Sequence, residues 1–333
     1  MNTPATLTAV APARSLAICG WTPEAAEALD ALESTGAYRA IGVADGSGAA
    51  LVRARRETGH PCFQQVRQWM ASAPYEAVLV ASPQSAEFVS LAARRGADLL
   101  LLPGASDVET LEAAVEAAQR HDVRIALLRP ETHDAGVGDL ACILDTPEWA
   151  PHYLDVTVEG PAEADRLLGT AVVHAVRFAP TSHGLVRASA WTGGTESPRV
   201  VSALLEADAT QVHLTARHAP EAYVRIAGDT PAGAFDLRIA ADNARLTYTT
   251  PSGERIEYEP GWVDHWKAEA YRAVEADDTA RAREEAGLLA AIARSVLTGE
   301  AQATDCCTRP ELRVIEGRGH ARPRRGNLRL VVS

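Results

Sequence analysis

The 333-residue chain contains a single lysine, Lys267, and its other permanently cationic side chains are all arginine. Arginine cannot give and take a proton near neutral pH, because its pKa lies above about 12. Any reaction that needs a lysine must therefore use Lys267. The chain also lacks an apolar run near the roughly 18–20 residues that cross a bilayer. Its N-terminus has no charged stretch before the apolar residues. We therefore predict a cytoplasmic protein with no membrane partner.

Cysteine is scarce and does not indicate disulfides or a metal centre. The five cysteines are an odd number, and a chain of this length can build its core without disulfides. The adjacent pair Cys306-Cys307 leaves a redox or metal role open, but no second ligand pair lies at zinc spacing. His213 and His218 are five apart and are expected on opposite faces of a strand. We predict no bound metal.

The net charge of −12 argues against a general affinity for nucleic acids. Within the tail at residues 304–333, positions 308–333 are nevertheless basic, with seven arginines against only Glu311 and Glu316. Two interpretations stay open for this tail: it contacts phosphates or an acidic partner, or it lies solvated on an acidic body. We expect no nucleic-acid partner.

Residues 76–104 carry the pattern around which the first half is organised. Two short, continuously apolar runs, Ala77–Ala81 and Leu99–Leu102, flank a helical segment at Ala86–Arg95. Such runs are typical of a parallel sheet that is covered on both faces. Because ligands bind at the carboxyl ends of parallel strands, Ser82-Pro83-Gln84 and Pro103-Gly104 fall where a ligand would lie.

Strands and helices alternate on both sides of this unit, which predicts a doubly wound α/β domain over residues 15–130, after a lead-in at residues 1–14. The predicted strands are Ser15–Cys19, Tyr38–Ala44, Cys62-Phe63 and Val123–Leu128, and the predicted helices begin at Thr22-Pro23 and cover Gly48–Thr58, Val66–Ser72 and Val108–His121.

The turn after the first strand is where such a domain would hold the pyrophosphate of a dinucleotide. The turn carries Gly20 and Thr22 in a G-x-T-x-x-A pattern instead of G-x-G-x-x-G. A plain strand-to-helix turn stays open as the alternative. Asp45 ends the second strand at a spacing suited to a ribose hydroxyl, which favours NAD over NADP. The alternative for Asp45 is a simple turn with Gly46.

The second half, residues 131–303, is predicted to be an α+β domain with a mainly antiparallel sheet. We expect a loop at His133–Gly138 and a turn at Gly228-Asp229, and we expect the open sheet face to pair with a second copy of the chain. The predicted strands are Pro151–Glu159, Gly184–Trp191, Ala209–Arg217, Ala222–Ile226, Ala234–Ile239, Arg245–Thr249 and Arg255–Tyr258, and the predicted helices are Ala162–Phe178, Trp262–Ala276 and Ala280–Leu297.

This order of elements resembles the Gfo/Idh/MocA oxidoreductases over about residues 15–303. In that family a Thr-Pro-Asn-like loop follows the fourth strand and Glu-Lys-Pro follows the fifth. Here these positions read Ser82-Pro83-Gln84 and Leu101-Leu102-Pro103, so the proline is present and the lysine is absent. The resemblance implies an N-terminal Rossmann domain, NAD(H) bound between the domains, and cofactor contacts from Gly20, Thr22, Asp45, Ser82, Pro83, Gln84 and Pro103.

The resemblance also implies a catalytic histidine. The family pattern D-x-G-x-H-x-x-D corresponds to the segment from Thr170 to Arg177, in which only His174 matches. His174 would exchange the hydroxyl proton of the substrate, since histidine titrates near neutral pH. The alternative is a half-buried histidine with a structural hydrogen bond.

Two functions from different classes follow. The first is an NAD(P)-dependent oxidoreductase acting on a sugar or polyol-like hydroxyl compound, with His174 as its acid–base group. The second is a family member that has lost catalysis, without a required cofactor, and serves as a ligand-sensing or scaffold subunit.

Overall fold

The computed structural model describes residues 12–82, 85–105, 107–179, 184–191, 198–207, 210–240, 243–261 and 263–304. Pro83 and Gln84, Cys306-Cys307, residues 1–11 of the lead-in and nearly all of the basic tail lie outside these ranges. No helix within the described ranges is long and apolar enough to cross a membrane.

The first half forms a six-stranded parallel sheet, which confirms the predicted doubly wound topology. Its strand order is β3-β2-β1-β4-β5-β6, so the order reverses between β1 and β4 and opens a crevice at the carboxyl ends of those strands. The strands are β1 (Arg14–Cys19), β2 (Tyr38–Ala44), β3 (Cys62–Phe63), β4 (Ala77–Val80), β5 (Asp98–Leu101) and β6 (Ile125–Leu127).

Helices cover both faces of this sheet, and side-chain caps begin three of them. Thr22, Ser47 and Asp107 each accept a hydrogen bond from a first-turn backbone N–H. The helices are α1 (Pro23–Ser34), α2 (Gly48–Thr58), α3 (Val66–Ser72), α4 (Ala86–Ala93) and α5 (Val108–His121).

The second half contains a nine-stranded, mainly antiparallel sheet, as predicted. One neighbouring pair, β7 and β10, runs parallel, and the strand order is β14-β13-β12-β11-β7-β10-β9-β8-β15. The strands are β7 (Tyr153–Gly160), β8 (Gly184–Trp191), β9 (Val200–Ala207), β10 (Thr210–His218), β11 (Tyr223–Thr230), β12 (Gly233–Ala240), β13 (Asn243–Thr249), β14 (Arg255–Tyr258) and β15 (Gln302–Ala303).

Two local predictions in this half were wrong, and one strand was missed. The segment predicted as a loop at His133–Gly138 lies mostly in helix α6 (Ala135–Leu144). The predicted turn at Gly228-Asp229 lies inside β11, which pairs with β12 through both residues. Strand β9 was not predicted, although it alternates between buried and more exposed residues along its length.

The remaining helices join the two halves. They are α7 (Ala164–Phe178), α8 (His265–Ala273) and α9 (Thr279–Thr298). Helices α7 and α9 cover one face of the second sheet, while α9 also packs on α5 and α8 packs on α1. The last two helices therefore return to the first sheet, and the domain boundary near residue 130 stays a prediction.

A buried arginine at the end of β6 connects this sheet to both returning helices. The Arg129 side chain is 1% exposed, and its Nη2 lies 2.7 Å from Oε2 of Glu285 on α9. Its backbone N–H donates to Oε1 of Glu269 on α8 at 3.0 Å. Burial alone would raise the pKa of Glu269, but hydrogen bonds from His133 and Arg272 lower it to about 2. These pairs hold α8 and α9 against the carboxyl edge of the first sheet.

Removing one member of the buried Arg129–Glu285 pair should cost far more stability than removing both. We expect Glu285→Ala to lower the free energy of unfolding by about 3–5 kcal/mol, because it leaves a buried guanidinium without its carboxylate. The double variant Arg129→Met/Glu285→Leu removes both charges of the pair and should lose less, and its remaining loss comes from Arg281, which also pairs with Glu285. Urea denaturation measures both changes, and a loss below about 1 kcal/mol in Glu285→Ala would contradict the assignment.

Candidate functional site

A cavity of about 410 Å³ lies between the carboxyl edge of the parallel sheet and helices α7 and α9. One side of the cavity is formed by the turn between β1 and α1, here called the first turn, by the ends of β4 and β5, and by the segment after β6. Side chains of α7 and α9 form the other. The crevice predicted from the strand order is therefore present, and the second half of the chain closes it.

The structure places the predicted site residues unevenly around this cavity. Thr22 and Pro103 line it, whereas Gly20, Asp45 and Ser82 do not. Pro83 and Gln84 fall outside the described residues. The predicted cofactor contacts therefore converge only in part.

The first turn is built close to the loop after β4. Gly20 has φ of +90°, and a Cβ atom added to it would lie 2.0 Å from Oγ of Ser82. Only glycine fits this combination of a left-handed backbone and close contact. The contact between Gly20 and Ser82 leaves no space between these two loops at this point.

The backbone N–H groups of this turn are largely engaged within the protein. The N–H of Trp21 donates to Oδ2 of Asp45 at 2.8 Å, and the N–H of Ala25 donates to Oγ1 of Thr22 at 3.1 Å. Pro23 has no N–H to offer. An anion at the start of α1 would need such groups free, so this turn offers a poor pyrophosphate site.

Asp45 has a structural role that the sequence did not reveal. Besides the bond from Trp21, its Oδ1 accepts a hydrogen bond from the N–H of Ser47 at 2.7 Å. Trp21 is 4% exposed, and its indole N–H donates to Oε2 of Glu57 at 3.0 Å. Asp45 thus ties the end of β2 to the first turn. Its ribose contact stays a prediction, and a ribose would have to share both oxygens with these backbone donors.

A carboxylate lies at the start of α1, on the cavity wall. Glu24 lines the cavity, and its Oε2 would lie 3.4 Å from a Cβ atom added to Gly104 after β5. Partial burial raises the pKa of Glu24, and the positive charge of Arg166 on α7 lowers it in part. A negative charge here stabilises the helix N-terminus but repels a phosphate. A fold of this kind implies a bound dinucleotide, whose pyrophosphate would lie at this turn. The residues of the turn do not fit a pyrophosphate.

His174 lies inside the protein and not on the cavity wall. It is 1% exposed, and neither ring nitrogen has a hydrogen-bond partner among the described residues. Burial lowers its pKa to about 3, and Arg177 and Arg281 add to the effect. The ring is therefore neutral at physiological pH. The catalytic role of His174 stays a prediction, and these surroundings argue against it.

The position before Pro103, where the Gfo/Idh/MocA oxidoreductases carry a lysine, is also unsuited to proton transfer. Leu102 occupies it and is fully buried. Lys267 is exposed on α8 and does not line the cavity. The structure therefore brings no lysine to the cavity from the part of the chain that it describes.

Glu131 is a cavity residue that the sequence analysis missed. It follows β6 in a short 3-10 helix, Pro130–His133, and its buried Oε1 has no hydrogen-bond partner among the described residues. Burial raises its pKa to about 7, although Arg129 opposes the change. The available signal was its position just after a buried parallel strand, where ligands bind.

Solved structures with the same fold are found, although neither protein-family models nor curated proteins match the sequence. UDP-N-acetylglucosamine 3-dehydrogenase from Acidithiobacillus ferrooxidans is 15% identical, with a TM-score of 0.69 over 85% of this chain and 97% of that one. Aldose-aldose oxidoreductase from Caulobacter crescentus, complexed with glycerol, is 14% identical, with a TM-score of 0.70 over 87% and 99%.

A third similar structure is scyllo-inositol dehydrogenase from Lactobacillus casei. It is 14% identical, with a TM-score of 0.67 over 88% of this chain and 98% of that one. These structures are of the Gfo/Idh/MocA type that the sequence resembles. At this identity the likeness shows the fold, and this chain covers 97–99% of the length of the three compared chains.

The elevated pKa of Glu131 predicts a pH-dependent effect of neutralising it. The folded state favours the protonated carboxyl, so this preference stabilises the protein at low pH and is lost as the pH rises from 4.5 through about 7. We expect Glu131→Gln to stabilise the protein on the order of 2 kcal/mol at pH 8 and scarcely at pH 4.5.

Thermal or urea unfolding at the two pH values measures this difference. Arg129, Glu285 and Arg281 also act on Glu131, so each variant is compared with the parent at the same pH. Glu112→Gln, on the exposed face of α5, is the matched control. An equal effect of Glu131→Gln at both pH values would contradict the raised pKa.

Proposed function

We propose that this protein binds a small, hydroxyl-rich molecule of the sugar or polyol class in the cavity between its halves. We further propose that it acts as a ligand-sensing or scaffold subunit with an oxidoreductase fold and does not depend on a dinucleotide. The observation that carries this proposal is the carboxylate of Glu24 at the start of α1. It lies where a phosphate would need positive potential.

The ligand class is inferred from the similar structures and from the cavity size. Those structures include a dehydrogenase of a UDP-sugar, an inositol dehydrogenase and an oxidoreductase complexed with glycerol. A cavity of about 410 Å³ suits a molecule the size of a monosaccharide. Thr22 and Thr170 supply hydroxyl groups to the wall, and Val173 and Leu289 supply apolar surface.

The second candidate is an NAD(P)-dependent oxidoreductase acting on a sugar or polyol-like compound. Similar structures contain NAD+ or NADP, and the presence of Thr22 and Pro103 on the cavity wall supports this candidate. With His174 buried, Glu131 is the side chain with a pKa suited to acid–base catalysis. In this candidate Asp45 would favour NAD over NADP.

Titration with NADH separates the two candidates. We expect no saturable change in NADH fluorescence up to millimolar concentration, because Glu24 repels the pyrophosphate and the turn offers few free N–H donors. Glu24→Gln should bind NADH more tightly than the parent, whereas Glu112→Gln should not.

Saturable binding of NADH to the parent at micromolar concentration would overturn the cofactor-independent proposal. The oxidoreductase candidate would then be tested with Glu131→Gln and a panel of sugars. A large loss of kcat in that variant, with NADH affinity unchanged, would support Glu131 as its acid–base group.

We also propose that the protein is a homo-oligomer through the open face of the second sheet. Four large side chains on this face are exposed: Leu185, Trp191, Leu204 and Tyr153. Leu185 and Trp191 lie on β8, and Leu204 lies on the adjacent β9. The opposite face is covered by α7 and α9, so association would bury the side that none of the described helices covers.

Disrupting this face should convert the oligomer to a monomer. We expect light scattering to give at least twice the mass of one chain for the parent, and the mass of one chain for Trp191→Glu, because it places a charge in an apolar contact. Val52→Glu, at an exposed apolar residue of α2, is the control. A parent protein with the mass of one chain would contradict the proposal.

A further inference from the structure

A serine, a histidine and an aspartate form a chain of hydrogen bonds on the open face of the second sheet. They lie on the neighbouring strands β9, β10 and β7. Oγ of Ser202 lies 3.1 Å from Nε2 of His213, and Nδ1 of His213 lies 2.8 Å from Oδ1 of Asp155. We call these three residues the Ser202 triad. None of them lines the cavity between the two halves, so the triad is a separate group.

The register of the strands places the three side chains next to one another. His213 is directly opposite Asp155 on β7, and it is the diagonal neighbour of Ser202 on β9. Side chains on one face of a sheet reach both their opposite and their diagonal neighbours. The residues before and after each member of the triad are buried beneath the sheet. The core therefore fixes the backbone on which the triad stands.

The carboxylate sets the direction of both hydrogen bonds. A carboxylate only accepts, so Nδ1 of His213 carries the proton and donates it to Asp155. Nε2 of the neutral ring is then an acceptor, and the hydroxyl group of Ser202 donates to it. Arg225 donates to the second oxygen of Asp155 at 3.2 Å. In this arrangement a histidine can take the proton of a serine that attacks a carbonyl carbon.

We propose that Ser202 is the nucleophile of an esterase site that cleaves small carboxylic esters. Its Oγ forms a bond to the carbonyl carbon, and its proton passes to Nε2 of His213. The bond to the alcohol then breaks as the alcohol oxygen takes that proton. Water repeats the sequence on the acylated serine and releases the carboxylic acid, so ester and water become acid and alcohol. Asp155 orients the ring without touching the ester and is a positioning residue.

Neighbouring side chains supply donors and apolar surface for this reaction. Ser189 on β8 and Thr215 on β10 are both directly opposite Ser202, so their hydroxyl groups lie on the same face beside it. Hydroxyl donors at this place stabilise the negative oxygen of the tetrahedral intermediate. Leu204 and Trp191 are exposed on the same face. They offer apolar surface to a short acyl chain or an aromatic leaving group.

Access to the triad depends on whether this face is covered. In the single chain the side chain of His213 is 36% exposed and Ser202 is half-buried, so a small ester meets both from the solvent side. A second copy on this face, as proposed above, would cover the triad. The reaction is therefore assigned to the single chain, and we expect it to be fastest in the monomeric variant Trp191→Glu.

Labelling with a fluorophosphonate tests whether Ser202 is activated. The reagent forms a bond between phosphorus and the oxygen of an activated serine, with loss of fluoride. The full-length parent and Trp191→Glu are both treated, and mass spectrometry of the intact chain and of its peptides locates the adduct. We expect one adduct per chain, on Ser202. Ser202→Ala should take up none, whereas Ser252→Ala, in an exposed turn, should label like the parent.

Hydrolysis of p-nitrophenyl acetate measures the turnover. We expect Ser202→Ala and His213→Gln to lower kcat by about 100-fold or more, since they remove the nucleophile and its base. His152→Gln, at an exposed histidine before β7, should leave kcat at the parental value.

The positioning role of Asp155 has its own measurement. Asp155→Asn should lower kcat and leave KM nearly unchanged, because the carboxylate acts on the histidine ring and not on the ester. Asp155→Glu keeps a carboxylate and should restore part of the lost kcat. A change in KM alone would contradict the positioning role.

The outcomes separate this inference from the proposed function. An unlabelled Ser202 in both the parent and Trp191→Glu would overturn the esterase site, and so would hydrolysis at the parental rate in Ser202→Ala. Circular dichroism establishes that each variant is folded, and the position of the adduct in the parent decides the question without any variant. Sugar or NADH binding in the cavity is measured independently, so either proposal can fail while the other stands.

Discussion

The buried charge of Arg129 is the interaction on which the arrangement of the two halves depends. It lies at the end of β6, in the first sheet, and pairs with Glu285 of α9, while its backbone N–H bonds to Glu269 of α8. An arginine that is 1% exposed is tolerated only because these acids compensate it. The same contacts bring α9 to the cavity wall and place Glu131 two residues further on, facing that cavity.

The first turn shows how one short segment can serve either helix capping or anion binding. Thr22 caps α1 with its side chain, and Glu24 adds a negative charge to the first turn. Both features stabilise the helix. Both also work against a phosphate, since Thr22 engages the N–H of Ala25 and Glu24 adds a negative charge to the first turn of the helix. The carboxyl edge of the sheet thereby keeps a cavity whose wall carries a carboxylate at the start of α1.

Much of the fold followed from local patterns. The apolar runs at β4 and β5, the capped start of α1 and the strongly amphipathic α5 each indicated their own structure. The prediction failed at α6, whose Gly136 and Gly138 resemble a loop. A Cβ atom at Gly136 would lie 2.6 Å from Leu237 of β12. The glycine there serves close packing, and contact with the second sheet supports a helix that its own sequence does not favour.

The sequence by itself determined the strand and helix order, the absence of a lysine from the position before Pro103, and the weakness of the glycine turn, because these depend on residue types and local periodicity. Tertiary structure alone decided which titratable groups share a cavity. Glu24 and Glu131 are more than a hundred residues apart, and Glu285 is farther still along the chain. Burial and charge neighbours set a pKa, and both arise only when distant segments pack together. For that reason His174, the residue that the motif indicated, lies in the interior as a neutral ring, and Glu131 occupies the cavity wall instead.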